Sequence, residues 1–273
     1  MSERDVEPRL GAAHASVPLV MGIVNVTPDS FSDGGRFHEP DAAIAHGLEL
    51  FAEGADILDV GGESTRPGAE AVDVETELAR VLPVVEALSP HGRVSIDTRK
   101  PEVARAAVAA GATLINDVSA SLWSVAADCG VGWVAMHMKG EPGTMQTAPH
   151  YDDVVAEVSS FLVDRATRAA DAGVSEIWID PGIGFGKSFD HNLALLSSID
   201  RLAALGWPVL VGTSRKAFLG RLLAESDGVD EVSTDDRLAG SIASEVWAMH
   251  LGASMIRVHD VRSAIQAAKV VAA

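Results

Sequence analysis

Short apolar runs rich in β-branched residues alternate along the chain with longer Ala-, Leu- and Glu-rich stretches of helical period, and the alternation repeats eight times. The runs at 19–26, 56–60, 94–98, 113–118, 132–137, 176–180, 208–214 and 254–259 predict strands. The stretches near 40–53, 73–89, 101–110, 121–129, 152–172, 190–205, 216–225 with 235–250, and 261–271 predict helices. Asp73 before an acidic turn and Pro101 after Thr98 read as helix starts. Gly54, Gly111, Gly173, Gly206 and Gly252 fall where a helix gives way to the next strand, a place that calls for positive φ. The strands are apolar along their length, as parallel strands covered on both faces must be. Eight such units predict one closed (β/α)8 TIM barrel rather than a doubly wound sheet, and no Gly-x-Gly-x-x-Gly follows the first strand.

The boundaries follow from where the pattern starts. Residues 1–17 are acidic, broken by Pro8 and without the basic and apolar regions of a secretory signal, so they read as a flexible tail, and 18–273 as the barrel. No apolar run reaches the length that spans a bilayer, which predicts a soluble protein without a membrane partner. The net charge of −18 argues against nucleic acid and acidic membranes, so a small anionic ligand would need a local basic pocket. With one cysteine, Cys129, there is no internal disulfide; this suits the cytoplasm, and the thiol reads as inert core.

Catalytic groups in such barrels come from the C-terminal strand ends, and here every strand ends in polar residues: Asn25, Gly61-Gly62-Glu63, Asp97, Asn116-Asp117, His137, Asp180, Ser214-Arg215-Lys216, and Arg257 with His259. One Asp after a strand is more often a helix cap than a ligand, but eight strands in eight is a pattern. Asp97, Asn116 and Asp180 supply acceptors that suit the N–H-rich edge of a pterin or purine-like heterocycle. Lys216, Arg257 and His259 form a neighbouring basic cluster suited to phosphate. Asn25, beside strand eight in a closed barrel, offers a neutral oxygen that suits Mg²⁺ arriving with a phosphorylated substrate.

Each reading has a structural counterpart. His137 reads as a satisfied core histidine as readily as a ligand, and Arg257 and His259, two apart on a strand, face one side that is also the solvated mouth. Met138 and Phe185 are candidate pocket wall. The run Asp180-Pro-Gly-Ile-Gly-Phe-Gly-Lys187 lacks Walker spacing, and its glycines read as permitting close backbone approach to a ligand. The Gly/Pro/Ser-rich segments 27–35 and 61–68, after strands one and two, read as long mobile loops over the mouth.

Asn25-Val-Thr-Pro-Asp-Ser-Phe-Ser-Asp-Gly-Gly35, Gly61-Gly-Glu-Ser-Thr-Arg-Pro-Gly68, Ser95-Ile-Asp-Thr98, Asn116-Asp-Val118, Asp180-Pro-Gly-Ile-Gly-Phe-Gly-Lys187, Thr213-Ser-Arg-Lys216 and Arg257-Val-His-Asp260 together resemble the dihydropteroate synthase family, in order from about residue 19 onward. The resemblance implies condensation of 6-hydroxymethyl-7,8-dihydropterin pyrophosphate with p-aminobenzoate in folate biosynthesis, with Mg²⁺ as cofactor and a homodimer. By motif, Asp97, Asn116, Asp180 and Lys216 would hold the pterin, Met138 and Phe185 would line its pocket, and Arg257 would pack on the ring. Asn25, Arg257 and His259 would hold the pyrophosphate and its metal. Thr65, Arg66, Pro67, Ser214 and Lys216 would border p-aminobenzoate, and Asp33 would sit near the reacting carbon, with Asp33, Lys216 and Arg257 forming the catalytic set. Loss of pyrophosphate would be dissociative. One stretch departs from the pattern: after Asn116-Asp-Val-Ser119 the fourth loop is shortened. Three other readings compete: a pterin-binding methyltransferase domain, which has no use for a pyrophosphate cluster; a weak paralogue that only binds pterin; and an aldolase using Lys216 as Schiff base.

Overall fold

A computed structural model describes residues 17–27, 39–64, 71–141, 143–230 and 232–273. In chain order the elements are β1 (Leu19–Asn25), α1 (Glu39–Glu53), β2 (Ile57–Gly61), α2 (Val74–Leu88), β3 (Arg93–Asp97), α3 (Pro101–Ala109), β4 (Leu114–Asp117), α4 (Trp123–Cys129), β5 (Gly132–Met136), α5 (Val154–Asp171), β6 (Ile177–Asp180), α6 (Phe189–Leu196), α7 (Ile199–Ala203), β7 (Leu210–Val211), α8 (Ala217–Asp227), α9 (Leu238–His250), β8 (Met255–Val258) and α10 (Val261–Val271). All strand pairs are parallel in the order β6-β5-β4-β3-β2-β1-β8-β7, and a parallel bridge between Ile179 and Val209 joins the two ends of the sheet. The predicted (β/α)8 barrel is therefore the fold.

Side chains on a strand alternate between two faces, so a barrel has an inside and an outside core. Val20, Leu58, Val60, Val94, Ile96 and Ile115 face outward and pack under the helices. Met21, Ile57, Leu114, Val134, Trp178, Leu210 and Met255 meet inside as a separate apolar layer. Two residues further along, the inward positions include Asp59, Ser95, Asn116, Asp180 and Arg257, and beyond them Asn25, Gly61 and Asp97. Registers fix this polar layer: Ile23 pairs with Asp59, Asp59 with Ser95, and Asp97 with both Gly61 and Asn116.

The local signals act as read. The Asp73 carboxylate accepts from the Thr76 amide at 2.8 Å, Pro101 opens α3, and the five inter-element glycines adopt φ between +87° and +116°. The predicted helix 190–205 divides after Leu196, where Ser197 turns its hydroxyl onto the Ala194 carbonyl, 3.0 Å away. The predicted strand 208–214 shortens to two residues because Pro208 has no N–H to donate to the ladder and the Val209 carbonyl accepts from both Ser254 and Met255. The shortened fourth loop is organised by Asp117, whose carboxylate accepts from the amides of Ser119, Ser121 and Leu122 at 2.7–2.9 Å and from the Trp133 indole at 3.2 Å. Cys129 is half-buried against the outer core, with an Arg105 nitrogen 3.9 Å from its sulfur.

Glu245 on α9 is buried, and its Oε2 has no hydrogen-bond partner among the described residues. Burial, with the Asp260 charge adding, pushes its pKa up to about 8. The folded chain thus keeps a proton that the unfolded chain releases, and this group's contribution to stability falls as pH rises from the ordinary carboxylate range toward 8. Glu245→Gln is expected to stabilise the fold by about 2 kcal/mol at about pH 8 and by little at about pH 5. Denaturant unfolding at the two pH values checks this; an equal effect at both contradicts it.

Candidate active site

The polar strand ends surround a cavity of about 700 Å³ at the barrel mouth, whose lining includes Asn25, Asp97, Phe185, Ser214, Lys216, Arg257 and His259. The ends of β1, β2, β3, β7 and β8 thus contribute to one site, as the sequence predicts, and the loop after β6 adds Phe185. Arg257 forms part of its floor: its Nε donates to Asp59 Oδ2 at 2.6 Å and its Nη2 to Asp97 Oδ2 at 2.9 Å. Asn116 and Asp180 are buried and do not reach the lining. Met138 is half-buried and off the lining, where Met145 stands. Asp33, Thr65, Arg66 and Pro67 lie outside the described residues, as does most of the first loop and the middle of the second.

Charges are crowded here among buried groups. Burial pushes the Asp97 carboxyl up to about 7, against the pull of Arg257. It raises Asp180 as well, while Lys216 and the Gly182 amide, 2.7 Å from Oδ1, pull the other way. Burial brings Lys216 down to about 8, with Asp180 opposing and Arg257 adding to the shift.

Lys216 reaches the cavity because the chain turns sharply before it. Arg215 has φ +59°, a left-handed conformation that costs roughly 1–2 kcal/mol for a residue with a Cβ. The turn is held by Ser241, whose hydroxyl accepts from the Arg215 amide at 2.9 Å, and by Arg237, which donates to the Arg215 carbonyl at 3.1 Å. The Arg215 side chain is held in a two-bond pair with Asp260 at 2.8 and 3.1 Å. Lys216 then donates to the Ile183 carbonyl and lies 4.7 Å from the Phe185 ring centroid. Beside it, Ser214 Oγ lies 3.1 Å from His259 Nδ1.

The glycine run after β6 differs from its sequence reading. A Cβ at Gly182 would fall on the His137 carbonyl oxygen, and one at Gly186 on that of Lys139, so the glycines permit close approach to the protein's own backbone. The amides of Gly182, Gly184 and Phe185 are taken by Asp180, Asn192 and the Gly182 carbonyl. With those amides engaged, the loop is no anion nest. Lys187, nearly inaccessible, donates to the carbonyls of His137 and Phe185 at 3.2 and 3.0 Å and lies 3.0 Å from His137 Nδ1; burial lowers its pKa to about 7. Burial and the Lys187 charge hold His137 down at about 3, and its ring packs edge-on against Phe161 at 5.0 Å. His137 is a core residue.

The base of the second loop is clamped by Glu63. It accepts from the Val72 amide at 3.1 Å and from Lys100 at 2.8 Å, and Lys100 also bonds the buried Glu77. Burial opposes the charge on Glu63, but Lys100 and the Val72 amide outweigh it and hold its pKa low. Sequence reasoning missed Asp59, Met145 and this clamp; the signal for Asp59 was its place two residues before Gly61 on an otherwise apolar strand.

The model of the pterin binding enzyme family matches residues 21–259. The dihydropteroate synthase of Mycobacterium leprae is 48% identical over 263 residues, 93% of this chain and 92% of that protein. The chain belongs to the dihydropteroate synthase family. Among solved structures, the Xanthomonas albilineans dihydropteroate synthase with 4-aminobenzoic acid is 52% identical, with TM-score 0.85, covering 93% of this chain and 91% of that one. The same organism's enzyme in complex with 7,8-dihydropteroate is 48% identical, with TM-score 0.82, covering 94% of each. The chain is accordingly a transferase of the dihydropteroate synthase family, and the methyltransferase and aldolase readings lose their support.

The glycine run yields a prediction. Gly182→Ala must displace either the Asp180–Lys187 loop or the end of β5 and should destabilise the fold by about 2 kcal/mol or more. Denaturant unfolding measures this; a cost near zero would mean the loop is free to move outward.

Proposed function

We propose that the chain condenses 6-hydroxymethyl-7,8-dihydropterin pyrophosphate with p-aminobenzoate, giving 7,8-dihydropteroate and pyrophosphate. The observation that carries this reading is the division of the site: acceptors Asp97, Asn116 and Asp180 in the barrel floor, beside the basic residues Lys216, Arg257 and His259. The 4-aminobenzoic acid and 7,8-dihydropteroate held by the Xanthomonas albilineans relative support it.

In this account Asp97, Asn116, Asp180 and Lys216 receive the pterin, and Phe185, with Met145 in the place expected for Met138, forms the apolar wall. Arg257 packs on the ring, which requires its Nη2 to leave Asp97 as the ring enters. Asn25, Arg257 and His259 take the pyrophosphate. Ser214 and Lys216, with Thr65, Arg66 and Pro67 from the second loop, border p-aminobenzoate, and Asp33 of the first loop comes near the reacting carbon. The attacking group is a neutral aromatic amine that needs no prior deprotonation. The chemistry therefore rests on the leaving group, and positive charge around the pyrophosphate lowers the barrier to its departure. The cation left at the pterin methylene is delocalised by the ring and offset by Asp33, so substitution is dissociative.

Among the described residues no three His, Cys, Asp or Glu side chains converge into a metal cage, and Asn25 supplies a neutral oxygen at the mouth. That donor set fits Mg²⁺ carried in on the pyrophosphate, held on the protein side by Asn25; when bound it would neutralise charge on the leaving group. A cytoplasmic homodimer belongs to the same proposal: no described helix is long and apolar enough to cross a membrane, and Leu222, Leu238 and Trp247 leave apolar surface exposed on α8 and α9.

The deciding experiment is turnover with both substrates, following pyrophosphate release with and without a chelator. Activity lost on chelation and restored by Mg²⁺ is expected. A chain that binds pterin but forms no dihydropteroate would be a pterin-binding paralogue. Arg257→Ala should weaken the pyrophosphate ester by about ten-fold more than free 6-hydroxymethylpterin in calorimetry; equal losses would assign Arg257 to the ring alone.

A further inference from the structure

We infer that Asp59, to which the account above gives no role, is a positioning residue for the pterin pocket: it fixes which way Asn116 presents its amide and anchors Arg257 while the far end of the guanidinium moves. This rests on the reading that Asn116 and Arg257 meet the pterin.

Asp59 is fully buried on β2, facing inward between Ile23 of β1 and Ser95 of β3. Its Oδ2 accepts two N–H groups, from Arg257 Nε at 2.6 Å and from Asn116 Nδ2 at 2.8 Å. A carboxylate oxygen can only accept, so the edge of the Asn116 amide that faces Asp59 has to be its NH₂. The other edge, Oδ1, is then an acceptor, and it is buried without a partner among the described residues. Asn116 is the register neighbour of Asp97, which lines the cavity. Asp59 thus sets this part of the floor to offer acceptors, which is what an N–H-rich ring edge requires. With the amide reversed, a donor would face donors and be left buried and unpaired.

The same oxygen governs Arg257. Nε, close to the backbone, is tied to Asp59, whereas Nη2, at the far end, is tied to Asp97. A ring that takes Asp97 displaces the second bond and leaves the first, so the cation keeps a counter-charge as it swings. Without Asp59, the carboxylates remaining to Arg257 are Asp97 and Asp180, the two that the ring needs. The guanidinium would then compete with the ligand for them. Asp59 itself touches no substrate in this arrangement, and it acts through its two neighbours.

The test is a double-mutant cycle on the full chain, with 6-hydroxymethylpterin affinity read by calorimetry and fold integrity by thermal unfolding. Asp59→Asn is close to isosteric. It is expected to weaken pterin binding about ten-fold in the native background and by only about three-fold in the Asn116→Ala background, where the route through Arg257 alone remains. A loss of the same factor in both backgrounds would make Asp59 a general support of the barrel and overturn the inference. If Asn116→Ala binds pterin as the native chain does, the assignment of Asn116 to the ring falls and this inference with it, a failure separable from the first. Should Asp59→Asn not fold, nitrogen-15 NMR of the native chain serves instead, with the Asn116 amide identified by its loss in Asn116→Ala. One Asn116 side-chain amide proton shifted downfield by its bond to Asp59, and staying so when pterin is added, supports the inference; both protons at the positions of an unbonded amide overturn it.

Discussion

A guanidinium and a carboxylate placed inside a barrel cannot each stand alone, because removing either ion from water costs several kcal/mol. The pairing of Arg257 with Asp59 is the interaction on which the rest of this site depends. It lies directly above a layer of apolar side chains, Met21, Ile57, Leu114, Val134, Trp178, Leu210 and Met255, that fills the lower barrel. That layer and the outer core carry the stability, and the polar layer above is tolerated because its members hold one another. Within it burial raises the pKa values of Asp97 and Asp180 and lowers that of Lys216.

Around this floor the chain is arranged to keep side chains where they are. The left-handed turn at Arg215 costs energy, which Ser241, Arg237 and Asp260 offset, and the result is a lysine projected into the cavity. The loop after β6 is fixed from several sides: Gln146 donates to the Gly184 carbonyl at 2.5 Å, Tyr151 to that of Gly186 at 2.8 Å, and Lys187 to that of Phe185. A flat ring needs walls that do not relax when it binds, and both devices supply such walls. Glu63 does the equivalent for the second loop, tying residue 72 back to residue 63 so that the segment between them starts and ends at one place.

Much of this was legible in the sequence, for reasons that have to do with periodicity. Eight apolar runs separated by helical stretches specify the barrel, and the polar residue closing each run specifies which end bears the site. Asn25, Asp97, Lys216, Arg257 and His259 gather at one mouth because each lies at or just beyond the end of its strand. What escaped was anything decided by contacts distant in sequence. Asp59 sits within a run that otherwise reads as core, and only its proximity to Arg257, 198 positions away, gives it a role. The glycines after Asp180 admit two explanations, approach to a ligand or approach to the chain, and only the position of the His137 and Lys139 carbonyls chooses between them. Met145 lies on a loop between β5 and α5 where no periodicity places it; hence Met138, nearer the strand end, was the natural expectation.

The central claim is that the buried acceptors of the barrel floor receive the N–H groups of the ring. Asp97, held up at about 7 by burial, offers both oxygens as acceptors only when ionised, so ring binding below that pH is expected to release its proton to solvent. Calorimetry of 6-hydroxymethylpterin binding at about pH 6, repeated in buffers of different ionisation enthalpy, counts that proton. Release approaching about one proton per site, absent in Asp97→Asn, is the result this account predicts; no net exchange, or uptake, with the native chain would contradict it.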